Sequence, residues 1–364
     1  MRDPGKFAAA GLFACALAAP WILPPYELNV LARCSALAIL ALGLVLLWGE
    51  AGILSLGQGV FFGLGGYVLA MNLKQAALGP GEIPDFMVWS GLDALPVWWR
   101  PFSNPAIALA GVVLVPAAIA AAYSWLVFRR RVGGVYFALI TQALALAFAT
   151  LLISKQPYTG GFNGLTDFHT LLGFDLGADK TVLVLYWITI IVLALAYLGV
   201  RALMRSRYGT LLRATRDGEN RVRYLGYDPS PYRVVAFTVA AALAGVAGAL
   251  FTLHSGVVSP ALVGVVPSIE MVVWVAVGGR NSLGGAIAGT VLVNFAKDKV
   301  SSALPELWPY ALGALFVLVV LLLPQGLVSL VPKWARRGGH AMRNAVAAPG
   351  PAVTQPAKPG SAPP

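Results

Sequence analysis

Long stretches of this chain carry almost no charge, and this feature restricts the possible folds more than any other. Only helices and closed barrels satisfy their backbone hydrogen bonds inside a bilayer. A transmembrane helix needs ~20 mostly apolar residues, and the chain holds about ten such runs. We therefore predict an all-α, polytopic membrane protein of about ten transmembrane helices. The runs lie at residues 7–23, 28–48, 52–73, 105–128, 133–153, 181–200, 233–254, 266–279, 283–300 and 308–330.

The composition supports the membrane class. Soluble domains carry about 25% charged residues, whereas this chain is 11% charged and 58% hydrophobic. In a soluble protein the net charge of +11 would suggest nucleic acid binding. Here the basic residues gather at the ends of the apolar runs, and the preference of Lys and Arg for cytoplasmic loops explains them without nucleic acid. Cys15 and Cys34 both lie in apolar runs and are interpreted as small core residues.

An arginine-rich stretch, residues 201–233, sets the orientation of the chain. This basic segment holds eight arginines against three acidic residues and lies between the sixth and seventh predicted spans. A basic loop of this size between two spans marks the cytoplasmic side. Both termini are then cytoplasmic, and most of the 26 basic residues fall on the inner side.

The chain divides into one membrane domain and a tail. Residues 1–333 are predicted to form the transmembrane domain, and residues 334–364 a cytoplasmic tail. The tail is rich in Pro and Ala and lacks hydrophobic periodicity, which predicts disorder. An alternative interpretation of residues 1–20 is a cleaved signal peptide with its cleavage site near Ala16–Ala18. Cleavage would leave the other nine spans in the same orientation.

The sequence offers no catalytic or metal-binding pattern. It contains no Gly-x-x-x-x-Gly-Lys-Ser/Thr phosphate loop. Its three histidines, His169, His254 and His340, are far apart and have no clustered cysteines or acids. We therefore expect neither an enzyme nor a metal or other cofactor.

The third predicted span contains polar groups at membrane depth. Gly59 and Gly63 form a small-xxx-small pair that allows close helix packing, and Ser55 and Gln58 lie beside them. Polar side chains at this depth face the bundle interior or a water path. We predict that Ser55, Gln58 and Gln142 line a path for a small polar solute.

Glu270 is the carboxylate set well inside a predicted span of the second half. An intramembrane acid is a functional candidate, so Glu270 joins the predicted path. The alternative is a hydrated residue near the outer end of its span. Gly285 and Gly289 are interpreted as helix-packing positions. Lys297 and Asp298 are expected to be solvated at an outer end.

The middle of the basic segment has helical spacing. An apolar stripe is surrounded by arginines, and the acids at Asp217 and Glu219 suit the start of a short second helix. Gly226 is expected to end it. The alternative is an amphipathic helix lying on lipid. The stripe comprises Leu211, Leu212, Thr215, Val222 and Leu225.

Five short motifs, spread over about residues 28–330, form a specific set only when taken together. They are Ser55–Tyr67, Tyr136–Thr141, Thr159–Thr166, Arg213–Asn220 with Gly226, and Pro324–Leu327. Together they resemble the membrane permease subunits of ATP-binding-cassette (ABC) importers of the branched-chain amino acid type. A tryptophan-rich stretch, Pro84–Pro101, is similar to the urea-transport branch of that family.

The resemblance implies a bacterial inner-membrane protein that does not itself hydrolyse ATP. It would pair with a second, related permease, two cytoplasmic ABC ATPases and a periplasmic solute-binding protein. Urea is then the expected solute, with branched-chain amino acids as the alternative and a stand-alone channel or secondary carrier as an alternative of another class. The resemblance also assigns contact with the ATPases to residues of the basic segment. These are Arg213, Ala214, Arg216, Asp217, Gly218, Glu219, Asn220 and Gly226.

Overall fold

The structure is a computed structural model that describes residues 4–79, 82–168, 170–171 and 173–303, with isolated positions at 306, 310, 313–314, 317 and 326–327. Within these residues the chain is a bundle of α-helices with two very small sheets. In chain order the helices are α1 (Pro4–Ile22), α2 (Pro25–Leu44), α3 (Gln58–Ala76), α4 (Asp85–Trp89), α5 (Pro105–Arg129), α6 (Val135–Ser154), α7 (Gln156–Thr159), α8 (Asp179–Arg205), α9 (Arg207–Tyr224), α10 (Pro229–Ser255), α11 (Val265–Gly278) and α12 (Leu283–Ala303).

A helix occupies each of the nine predicted spans that precede residue 304. Five helical stretches, counting α2 with its continuation to Glu50, are long and apolar enough to cross a membrane. With 14 residues, α11 is only about 21 Å long at 1.5 Å per residue, which is shorter than a bilayer core. The tenth predicted span, 308–330, and the tail, 334–364, fall largely outside the described residues.

The centre of the bundle is built on α2 and α10. Within the most apolar 18-residue window of each helix, 89% of the positions of α2 and 56% of those of α10 are buried. The corresponding fractions are only 28% for α5 and 33% for α6 and α8. The exposed faces of these outer helices are rich in Leu, Ile and Val. Such a surface suits lipid, because apolar side chains facing a bilayer carry no cost of contact with water.

The connection between α2 and α3 departs from the predicted span at 52–73. After α2, a π-helical turn runs over Val45–Glu50, residues 51–57 are irregular, and α3 begins only at Gln58. Side chains satisfy part of this buried backbone. The Leu56 N–H donates to Thr141 Oγ1 over 3.0 Å, and the Gly57 N–H donates to Ser55 Oγ over 3.4 Å. Irregular backbone at this depth is tolerated because it is enclosed by protein.

Two sheets of two residues per strand qualify the all-α prediction. Strand β1 (Leu165–Thr166) pairs antiparallel with β4 (Val257–Val258), and β2 (Thr170–Leu171) pairs antiparallel with β3 (Phe174–Asp175). The β1–β4 pair joins the α7–α8 connection to the α10–α11 connection. These two connections therefore meet at one end of the bundle, as the predicted alternation of spans requires.

Candidate coupling surface and solute cavity

The basic segment is almost entirely helical. α8 extends to Arg205, and α9 follows as two pieces that meet at Gly218, where φ is −172° and ψ is 76°. This break lies where the sequence predicted a second helix to start. Gly226 has φ of +87°, a conformation that favours glycine, and its N–H bonds to the Arg223 carbonyl over 2.9 Å. The middle of the segment is thus a helix in two pieces that ends in a tight turn at Gly226.

The apolar face of α9 is narrower than the sequence indicated. Leu212, Thr215 and Val222 are buried, and Leu211 is partly buried. Leu225, predicted to belong to the same stripe, is instead 76% exposed. It lies after Tyr224, the last residue of α9, at the C-cap position. This part of the prediction was wrong because helical spacing does not extend past the end of a helix.

Two arginines fasten α9 to the end of the π-helical turn. Arg213 Nη1 donates to Glu50 Oε2 over 2.9 Å and to the Met204 carbonyl over 3.0 Å. Arg216 donates to the Gly49 carbonyl, and its aliphatic stem packs on Gly52. Glu50 itself is 8% exposed. α9 is therefore joined directly to the segment that leads into α3.

Glu219 braces the second piece of α9 against α10. Its carboxylate accepts from Arg223 on α9 and from Arg233 on α10, each over 2.8 Å. Burial alone would raise the pKa of Glu219, but these hydrogen bonds outweigh burial and hold the pKa below its ordinary value. Asp217 is exposed, and the hydrogen bond from Arg216 lowers its pKa.

The outward surface of α9 combines apolar and basic groups. Tyr224 is 89% exposed and Leu225 76% exposed, although both are large apolar side chains. Exposed aromatic and arginine side chains together are typical of protein interfaces. The predicted contact residues Ala214, Arg216, Asp217 and Asn220 are also exposed, whereas Arg213, Gly218 and Glu219 are partly buried.

The polar residues predicted for the solute path are not all brought together. Ser55 and Gln58 are buried at the start of α3, and neither Gln58 Oε1 nor Nε2 has a hydrogen-bond partner within the described residues. Gln142 is only partly buried. Its neighbour Thr141 is fully buried and makes the contact with Leu56. The buried face of α6 includes residues 137, 141 and 145. Helical spacing therefore places Thr141, and not Gln142, on the inner side.

Glu270 lies in a different place, on the wall of a cavity of about 650 Å³. It is 7% exposed, and its Oε2 accepts from Lys297 Nζ over 2.6 Å. Lys297 and Asp298 line the same cavity. Their side chains are 38% and 22% exposed, so both keep some contact with solvent while they also form ion pairs. The fold brings α11 and α12 side by side, and sequence spacing alone does not reveal this contact.

A second ion pair lines this charged cavity, which is bordered by α2, α3, α10, α11, α12 and the α10–α11 connection. Arg33 Nη2 lies 3.6 Å from Asp298 Oδ1, and the Tyr26 hydroxyl donates to Asp298 Oδ2 over 3.3 Å. Trp274 Nε1 is buried without a partner within the described residues. The remaining wall is mostly apolar. It includes Val30, Leu37, Phe62, Phe251, Val266 and Met271.

The four predicted packing glycines lie at close contacts, three of them against backbone and Gly63 against a side chain. A Cβ on Gly59 would come within 2.6 Å of the Val263 carbonyl oxygen, and one on Gly63 would clash with the Val263 side chain. Gly285 and Gly289 of α12 both lie against Gly278 of α11. Over the part of the chain that the structure describes, no group of three or more His, Cys, Asp or Glu side chains could hold a metal ion.

Comparison with known proteins identifies the family. Residues 26–323 match the family described as "Branched-chain amino acid transport system / permease component". Because this match covers most of the chain, the protein belongs to that family. No solved structure matches the chain significantly.

Individual relatives agree with the family match. The chain is 26% identical to the high-affinity branched-chain amino acid transport system permease protein LivM of Salmonella typhimurium, over 92% of this chain and 78% of the relative. It is 28% identical to the probable LivM of Methanocaldococcus jannaschii, over 52% and 59%. It is also 25% identical to LivH of Escherichia coli, over 81% and 91%. These names do not support the urea branch indicated by the tryptophan-rich stretch.

Proposed function

Starting from membership of that family, we propose that the chain is the transmembrane, non-hydrolytic subunit of an ABC importer for branched-chain amino acids. It acts in a bacterial inner membrane, with both termini and the basic segment on the cytoplasmic side. Family membership and the apolar helices support a multi-pass membrane permease. The names of the relatives favour amino acids over urea as the solute.

The attachment of α9 to the end of α2 is the observation that carries the proposal. When the two ATPase subunits bind ATP and close together, they push α9 from the cytoplasmic side. Arg213 and Arg216 pass this displacement to Glu50 and the Gly49 carbonyl. The π-helical turn at Val45–Glu50 is the kind of irregularity found at functional hinges. The permease then changes between two arrangements whose balance is set by a bound partner.

The proposed partners are a second related permease, two ABC ATPases and a periplasmic solute-binding protein. The ATPase site comprises the exposed face of α9 with Tyr224 and Leu225. A stand-alone channel or secondary carrier would have no need for an exposed apolar surface at this position. The alternative of an amphipathic helix on lipid is weakened by the ties from α9 to Glu50 and α10, which fix it as part of the bundle.

The tryptophan-rich stretch has a structural role that does not require urea as the solute. Trp99 Nε1 donates to the Tyr158 carbonyl over 3.2 Å, and the Trp98 ring packs on the Tyr158 ring with centroids 5.4 Å apart. These contacts join the α3–α5 connection to the α6–α8 connection. Packing at this end of the bundle therefore accounts for Trp99 and for the contact of Trp98 with Tyr158, but not for Trp89, which is 86% exposed.

Co-purification tests the proposed interface directly. The chain is expressed with its partner subunits, and the ATPases retained with it are measured for wild type and for Leu225→Asp. We expect Leu225→Asp to lose most of the ATPase, because a carboxylate disrupts an apolar contact. Val97→Asp is the matched control, because Val97 is also exposed, at 70%, but lies in the tryptophan-rich stretch. Equal retention by both variants would refute the assignment.

A further inference from the structure

We infer that the charged cavity binds the zwitterionic α-amino and α-carboxylate groups of an amino acid. This inference rests on the proposed function and adds to it a location and a recognition chemistry for the solute. The volume of about 650 Å³ falls within the range of about 300–1,000 Å³ typical of small-molecule sites.

The charges of the cavity are balanced. Arg33 and Lys297 contribute two positive groups, and Glu270 and Asp298 two negative groups. A zwitterion has one charge of each sign and no net charge, so it exchanges partners with these ion pairs without leaving a buried charge uncompensated. A solute with a single charge would leave one group unpaired. A neutral amide such as urea can hydrogen-bond to these groups, but it carries no charges to complement the four fixed ones.

The rest of the lining suits the other part of such a solute. Trp274 is only 4% exposed, and its Nε1 has no partner among the described residues. A buried indole N–H normally finds an acceptor, and a solute carboxylate provides one. Phe62, Phe251 and Met271 contribute apolar surface to the same cavity. That surface accommodates a branched aliphatic side chain.

A purely structural role for the ion pairs explains less. Lys299 and Glu27 form a similar pair between α12 and α2 over 3.1 Å, and Glu27 does not line the cavity. That exposed pair already connects the two helices. The Glu270 side chain is instead only 10% exposed, and burying a charge costs desolvation that an ion pair often does not repay. A purely structural ion pair also does not explain why Trp274 Nε1 has no partner among the described residues.

Ligand competition provides the first part of the test. Binding of radiolabelled leucine is measured to the assembled importer without its solute-binding protein, in lipid nanodiscs. Unlabelled leucine should displace the label. Leucinamide, which lacks the carboxylate, and 4-methylpentanoate, which lacks the ammonium, should each compete at least about tenfold more weakly, because each loses charged hydrogen bonds. Equal competition by either analogue, or by urea, would overturn the inference.

Variants provide the second part. Glu270→Gln and Trp274→Phe should each weaken leucine binding about tenfold or more, as expected for loss of a charged or buried hydrogen bond. Glu27→Gln, which breaks the neighbouring pair outside the cavity, should leave binding unchanged. Trp274→Phe removes the Nε1–H but keeps an aromatic ring and all charges, so it remains informative if Glu270→Gln does not fold.

The outcomes separate this inference from the proposed function. An importer that assembles with its ATPases and transports leucine, yet binds it equally in all three variants, would contradict the cavity assignment alone. A chain that never associates with an ATPase would contradict the proposed function instead. Weakened binding in the two cavity variants, with intact assembly and an unchanged Glu27→Gln control, would support both.

Discussion

Breaking the Arg213–Glu50 pair should uncouple ATP hydrolysis from transport. The pair joins α9 to the π-helical turn over 2.9 Å, and the side chains of Arg213 and Glu50 are 38% and 10% exposed. Removing one partner of a fully buried pair costs about 3–5 kcal/mol, and exposed pairs contribute about 0–1 kcal/mol. Because this pair lies between these limits, we expect Glu50→Gln to cost about 2 kcal/mol. Taken wholly as coupling free energy, this is a decrease of about 30-fold.

The measurement is the amount of leucine accumulated per ATP hydrolysed by the assembled importer in proteoliposomes. Glu50→Gln and Arg213→Gln should lower this ratio while ATP hydrolysis continues. The exchanged pair, Glu50→Arg with Arg213→Glu, should recover part of it. Arg207→Gln is the control, because it removes an exposed arginine from the same helix. A wild-type ratio in Glu50→Gln, or no recovery in the exchanged pair, would refute transmission through this contact.

Three further perturbations test neighbouring parts of the account. Gly226→Val forces a β-branched residue to φ of +87°, which costs about 1–2 kcal/mol, and it should reduce the amount of ATPase that co-purifies. Gly133→Val is the control and should not reduce it, because Gly133 lies in open space and has no positive φ. The pKa of Glu219 lies below its ordinary value of 4.5, so its stabilising contribution is complete above that pH and is lost as the pH falls through the lowered pKa. The melting temperature should therefore fall more steeply with decreasing pH for wild type than for Glu219→Gln. Equal dependence on pH in the two proteins would contradict the contact of Glu219 with α10. Thr141→Val leaves the Leu56 N–H unpaired and should lower the free energy of unfolding by about 1–3 kcal/mol, whereas Thr150→Val, which alters an exposed threonine of the same helix, should change it little.

Hydropathy predicts much of the fold because each span is a local property. A helix lies at each of the nine predicted runs before residue 304, and the break at Gly218 lies between the two acidic residues that indicated it, Asp217 and Glu219. The irregular backbone at 51–57 was harder to foresee, because its apolar composition resembles that of a helix. Its stability depends on Thr141, which is 85 positions away from Leu56.

The candidate sites show the same limit. Glu270 was identifiable as an acid inside an apolar run, but its partner Lys297 lies on another helix. Glu50 carried a weaker signal, a single acid at the end of a long uncharged stretch, and its contact with Arg213 spans 163 positions. Sequence periodicity describes one element at a time, so pairings between elements require the three-dimensional arrangement.

The central claim is that the energy for transport comes from partner ATPases through α9. The most direct measurement is the accumulation of labelled leucine against a gradient in proteoliposomes that hold this chain and its second permease, with and without the ATPases and ATP. The account predicts uphill accumulation only when the ATPases and ATP are both present. Accumulation without the ATPases, driven by an ion gradient or by none, would contradict it.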